Sequence, residues 1–177
     1  MRVTEVLKNC NLRAWPGYIK PEDMEFYLNR GRAIHRATAL YDLGRLDWPS
    51  VDPRIEPFVQ GWVKFRKEVG GVITAIEQPV SNIALGYTGT FDRIISKCAL
   101  HPTGNLLIDI KTNEADIYTR LQTAAYALAQ KKKVKRGYVS LFETGKYTAL
   151  VYGNDASDIV AWKACIQLNN WIGRNTR

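Results

Sequence analysis

Residues 106–112 read "LLIDIKT". Leu106, Leu107, Ile108 and Ile110 are residues that fold inward, and a short apolar run of this kind is the mark of a buried strand. Asp109 and Lys111 break that pattern, because charged side chains are buried only when they are paired or bind a metal. In an extended chain these two share one face, with Ile108, Ile110 and Thr112 on the other. A carboxylate and an ammonium therefore stand side by side on an apolar strand, and something must compensate them.

Immediately upstream, the chain from Val72 reads as a run of antiparallel strands. The segments are "VITAIEQPV", "NIALGY", "TGTFDRIIS" and "NLLIDIK", punctuated by Gly, Pro and Asn. A turn through "HPTGN" folds "GTFDRI" back on "LLIDIK" and sets Asp92 beside Asp109 on one face. Adjacent carboxylates repel unless a cation joins them, and hard cations such as Mg²⁺ take one or two carboxylate oxygens together with water and phosphate. For the D-x-K triplet alone, a simple Asp109–Lys111 ion pair is the plainer compensation.

On the N-terminal side, residues 22–42 carry a helical spacing through Phe26, Tyr27, Ile34, Ala37, Leu40 and Tyr41. A second helix follows through Ile55, Phe58, Trp62, Phe65 and Val69. Asp52 and Pro53 are its expected cap and first position, and Gly70 and Gly71 its end. Past the strands, residues 115–130 predict a helix, and "RGYVSLFETGKYTALVYG" a hairpin turning at Thr144, Gly145 and Lys146. The last helix is capped by Asp155 or Ser157. This order predicts an α+β (α/β) fold, with a central mixed sheet of about four to six strands flanked by helices. No repeat, low-complexity tract or Gly/Ser linker divides the 177 residues. One domain, 1–177, is expected, with N-terminal helices over 1–70, a core over 72–152 and a closing helix over 155–173.

The balance of 25 Lys and Arg against 17 Asp and Glu, a formal charge of +8, favours an anionic partner, nucleic acid first and an acidic membrane surface next. Cys10, Cys98 and Cys165 are scattered and odd in number, which excludes a zinc ribbon and points to a reducing, cytoplasmic setting. No window approaches the roughly 18 apolar residues of a membrane span, and no G-x-x-x-x-G-K-[ST] loop is present.

More polar residues fall at telling positions. His35 follows Gly31 by one helical turn, Glu77 lies in the first strand, and Gln122 and Tyr126 share a face of the helix after the D-x-K strand. The ordered set Gly31-x-x-x-His35, Glu77, Gly89-Thr90-Phe91-Asp92, Asp109-Ile110-Lys111-Thr112 and Gln122-x-x-x-Tyr126 resembles the PD-(D/E)XK nuclease superfamily, and within it the RecB-like exonuclease branch. The resemblance runs from residue 31 to about residue 126, and it implies a restriction-endonuclease-like core.

The activity it implies is that of a metal-dependent DNA exonuclease in recombination, repair or end processing, using Mg²⁺ or Mn²⁺. By the same resemblance, His35, Asp92 and Asp109 ligate the metal with the backbone carbonyl of Ile110, and Lys111 is the catalytic lysine. Glu77 lies near the metal, Gln122 and Tyr126 contact DNA or the scissile phosphate, and Gly89 permits close backbone approach. Several relatives hold an iron–sulfur cluster on four cysteines; three scattered ones leave none expected here. A separate helicase or single-strand annealing partner, an oligomer, and a phage or mobile-element origin accord with so small a core. An endonuclease of the same superfamily and a non-catalytic DNA-binding module remain alternatives. "KKKVKR", residues 131–136, reads either as a solvated helix end or as a grip on a phosphate backbone.

Overall fold

Strand β3, His101–Lys111, lies at the centre of a five-stranded sheet ordered β1-β2-β3-β4-β5. Its companions are β1 (Val72–Asn82), β2 (Tyr87–Cys98), β4 (Lys135–Leu141) and β5 (Tyr147–Val151). The computed structural model describes residues 1–12, 20–153 and 156–175. All neighbouring strands are antiparallel except β3 and β4, so the sheet is mixed, as expected. A parallel pair needs a crossover, and helix α4, Tyr118–Leu128, supplies it.

Alternation along β3 divides the core in two. Leu106, Ile108 and Ile110 pack with Ile34 and Ala37 of α2 (Met24–Asp42) and with Phe58, Trp62 and Phe65 of α3 (Glu56–Val69). Leu107 turns to the other face, where α1 (Val3–Asn9), α4 and α5 (Ala156–Asn175) contribute Val3, Val6, Leu7, Tyr126, Trp162 and Ile166. Burial on both faces explains why β3 reads as a nearly continuous apolar run. Among the described residues, no helix is long and apolar enough to cross a membrane.

Several local expectations are corrected. "NIALGY" is not a strand of its own: Asn82 ends β1, its side chain accepts the Leu85 N–H, Gly86 takes a positive φ, and Tyr87 begins β2. Ile83, 92% exposed, has no apolar surface to bury against, so three strands rather than about four precede α4. The β2–β3 turn is at Ala99 and Leu100, and "HPTGN" belongs to β3. Cys98 already pairs with His101, and a register shift after Ser96 with a left-handed Lys97 makes the turn tight.

Helix α3 starts at Glu56 with Pro57 in its first turn. Asp52 instead closes the preceding turn, accepting the Arg54 N–H on its side chain and the Ile55 and Glu56 N–H groups on its carbonyl. Helix α4 begins at Tyr118, not at 115. Asp155 lies outside the described residues, and Ser157 is already inside α5. The hairpin turns where expected, with Phe142 N–H donating to the Lys146 carbonyl and Gly145 at φ 72°. Helix α1, too short for a periodic signal, buries Val3, Val6 and Leu7 at i, i+3 and i+4.

Candidate metal centre

The backbone ladder between β2 and β3 is regular from Ser96/Asn105 to Arg93/Ile108. One step further the strands carry Asp92 and Asp109, and there a side chain takes over from the ladder: Ile110 N–H donates to Asp92 Oδ2 at 2.6 Å. Both carboxylates are buried, Asp92 at 7% and Asp109 at 2% exposure.

The second oxygen of Asp92 lies 3.3 Å from His35 Nδ1, and the same nitrogen is 3.7 Å from Glu77 Oε1. Glu77 reaches that place from an unusual backbone. It falls between the Ile76/Arg93 and Gln78/Phe91 pairs at φ 46°, in the left-handed region that a side-chain-bearing residue seldom enters. Ligand atoms of His35, Glu77 and Asp92 all lie within 4.8 Å of one another. Burial disfavours a charged imidazole, but Asp92 and then Glu77 outweigh it and push His35 up to about 10. Burial likewise opposes the Asp92 carboxylate, which is nevertheless held below its ordinary range by His35, by the Ile110 N–H and by Lys111.

Asp109 is held from the α4 side. Its Oδ1 accepts from Gln122 Nε2 at 3.0 Å. Its Oδ2 stands 2.7 Å from Lys111 Nζ in an ionic contact without hydrogen-bond alignment, so this oxygen has a charge partner but no hydrogen-bond donor. Gln122 bridges the pair, because its Oε1 accepts from Lys111 Nζ at 3.0 Å. Burial raises the Asp109 pKa although Lys111 pulls against it. For Lys111 burial works in the opposite sense, yet Asp109 prevails and keeps the ammonium charged.

This donor set fits a hard divalent cation. Carboxylate oxygens and one imidazole nitrogen converge from α2, β1 and β2, and the buried Oδ2 of Asp109 on the neighbouring strand has only the Lys111 ammonium against it. The group forms one side of an open cleft of about 1180 Å³ that Ile110 and Lys111 also line. Gly31 faces that cleft, and a Cβ there would meet nothing within 4 Å. Asp109 is on the neighbouring strand but outside the 4.8 Å group, among the described residues.

Of the two residues expected against substrate, Gln122 lines the cleft at 8% exposure and Tyr126 is buried behind it at 3%, and their polar ends meet Asp109, Lys111 and each other. Gly89 serves packing: a Cβ there would lie 2.5 Å from the Tyr126 ring and 3.2 Å from Val3. The "KKKVKR" stretch splits, with Lys131, Lys132 and Lys133 exposed and Arg136 wholly buried, its guanidinium bonded to Asp158, to the Arg120 carbonyl and to Thr123. Arg93 stands in none of the motifs that sequence spacing singles out. Its guanidinium spans Asp42 (2.6 Å), Glu77 (3.0 Å), the Asp92 carbonyl (2.7 Å) and Thr38 (3.1 Å). The available signal was a second charge among apolar strand residues, in "FDRII".

The sequence matches no protein-family model and no curated protein. Its fold is similar to that of a candidate exonuclease from Eubacterium rectale, with 8% identity, a TM-score of 0.52, and coverage of 93% of this chain and 70% of that one. An alkaline exonuclease from Laribacter hongkongensis aligns over 99% of this chain and 92% of its own, at 12% identity and a TM-score of 0.40. The first likeness shows a shared fold; in this chain that fold is a mixed five-stranded sheet flanked by helices.

Proposed function

We propose that this chain is a divalent-metal-dependent deoxyribonuclease of the PD-(D/E)XK superfamily, in its RecB-like branch, acting as an exonuclease on DNA ends in recombination, repair or end processing. The observation that carries this reading is the convergence of His35, Glu77 and Asp92 beside the strand position that carries the buried Asp109–Lys111 pair, at the side of an open cleft. A chain of +8 charge suits a polyanionic substrate, and the choice of ends over internal cutting rests on the RecB-like resemblance of the Gly31/His35 and Gln122/Tyr126 pairs.

In this proposal His35, Asp92, Asp109 and the Ile110 carbonyl hold Mg²⁺ or Mn²⁺, with Glu77 beside them. The bound ion supplies charge stabilisation of the phosphodiester and acidification of a coordinated water. Lys111 keeps its proton and donates to the attacking water or to the phosphate, directed by Asp109 and Gln122. Gln122 acts as a positioning residue: one amide fixes both the carboxylate and the ammonium.

Purified protein should shorten end-labelled linear DNA in Mg²⁺ and leave covalently closed circles intact. Asp109→Asn and Lys111→Ala should each lower that activity by about a hundredfold or more while the chain still folds. Undiminished degradation by well-purified variants defeats the assignment, and cutting of the closed circle shifts it to an endonuclease.

A further inference from the structure

The cleft continues past the metal centre. Tyr27, Arg30, Asn113 and Phe142 line both it and a second cavity of about 540 Å³, which runs along the β4–β5 hairpin to Lys146 and Tyr147. Arg30 sits where the two meet, five residues before His35 on α2. That separation is about 7.5 Å of rise along the helix at 1.5 Å per residue, and both residues line the cleft.

Aromatic rings hold this arginine. Its guanidinium carbon is 4.9 Å from the Tyr27 ring centre, 5.1 Å from Phe58 and 5.9 Å from Phe26. Among the described residues no carboxylate pairs with it, and its Nε is buried without a hydrogen-bond partner. A guanidinium fixed by stacking keeps its charge and its fork of donors for an incoming anion, and phosphate matches that fork.

The hairpin side of the cavity is tied down by several contacts. Phe142 opens the tight turn closed by its N–H to Lys146 and by Gly145 N–H to the Phe142 carbonyl, both 3.1 Å. The turn seats on α3 at Gly61, where a Cβ would lie only 2.9 Å from the Lys146 carbonyl. Tyr147 locks it further through its ring edge on Phe65 and its hydroxyl bonded to Glu68. A half-buried phenyl ring on such a turn is a stacking platform, with Lys146 exposed beyond it and Glu143 the acid on this wall.

We propose that this second cavity is a nucleotide subsite for single-stranded DNA leading from the metal centre. Arg30 takes the phosphate one step from the scissile one, Phe142 with Tyr27 stacks the base, and Lys146 meets the next phosphate. The proposal rests on the nuclease reading for the identity of the neighbouring site. It implies that the strand is unpaired there, since only an unpaired base can lie on the ring.

The test is fluorescence anisotropy in EDTA, with a labelled oligothymidylate of about six nucleotides and a labelled blunt-ended hairpin whose stem is long enough to stay fully paired in the assay. Arg30→Met keeps the stem over Phe58, and Phe142→Ala removes the ring. Each should weaken single-strand binding about tenfold and duplex binding far less, while Phe142→Trp restores it. Lys146→Glu, at an exposed turn position, gives the same reading if Phe142→Ala does not fold. Absent single-strand binding by the wild type, wild-type binding by Arg30→Met and Phe142→Ala, or equal losses on duplex and single strand overturns the subsite. Variant-sensitive binding without any Mg²⁺-dependent cleavage leaves the subsite standing and removes the nuclease reading instead.

Discussion

Arg93 shows how much of this site depends on a residue that touches no substrate. It is wholly buried on β2, stacked near Trp62 at 5.6 Å, and it ties Glu77 to Asp42, to Thr38 and to the backbone of Asp92. Burial drives the Asp42 carboxyl up, against the pull of Arg93, and Trp62 Nε1 donates to the same carboxylate at 3.1 Å. Deleting one partner of such a buried pair strands the other charge in the core. Arg93→Ala should therefore cost about 3–5 kcal/mol, read as a lower urea midpoint. Arg93→Lys should recover only part of that, since an ammonium cannot span four acceptors in a plane. The importance of this arginine was hidden in the sequence because Asp42 lies 51 positions away. Asp109 and Lys111, by contrast, are two residues apart, and their shared face follows from strand geometry alone.

At the scale of elements, the end of α5 is pinned to α4 and β4 by a second buried charge cluster. Asp158 accepts from Arg136 and from Arg120, whose Nε lies at 3.1 Å, and Arg136 is sealed from solvent. Burial alone would raise the Asp158 pKa, but Arg120 and Arg136 outweigh it and hold it below its ordinary range. A carboxyl depressed in the folded state stabilises above its unfolded pKa of about 4, and that contribution is lost as pH falls through the folded value. Asp158→Asn should cost about 3 kcal/mol at pH 7, with the gap to wild type closing below about pH 4 in paired urea titrations. A gap independent of pH would assign the loss to packing. In sequence Arg136 is indistinguishable from its lysine neighbours, because charge runs look alike. Only the crossover through α4, which brings β4 beside β3, shows that this member faces inward.

For the whole molecule, the candidate ligands come from three elements: His35 from α2, Glu77 from β1 and Asp92 from β2. An ion that bridges them binds only the folded chain and must raise its stability. At a hundred times its dissociation constant, Mn²⁺ should add about 2.7 kcal/mol, or roughly 5–10 °C in Tm for a chain of this size. Asp92→Asn should abolish the increment in a thermal scan, and an equal rise in that variant would place the ion elsewhere. The mixed sheet flanked by helices and the hairpin followed from periodicity and turn residues, which are local properties, whereas the strand order and the parallel β3–β4 pair emerged only in three dimensions. The missing strand at "NIALGY" and the short α1 did not, since segments this brief take their state from what they pack against.

The sequence by itself determined that "LLIDIKT" is a buried strand, that Asp109 and Lys111 share one face, and that their charges need partners. Side-chain alternation is a property of the extended backbone and needs no neighbour. Only the tertiary structure decided who those partners are. Gln122 reaches both charges from α4, Glu77 meets His35 from a left-handed position in β1, Arg93 supports Glu77 from behind, and Phe142 lines the same cavity as Arg30. Each of these contacts joins segments distant in the chain, and each depends on which helix covers which face of the sheet, a choice made by the packing of the whole core.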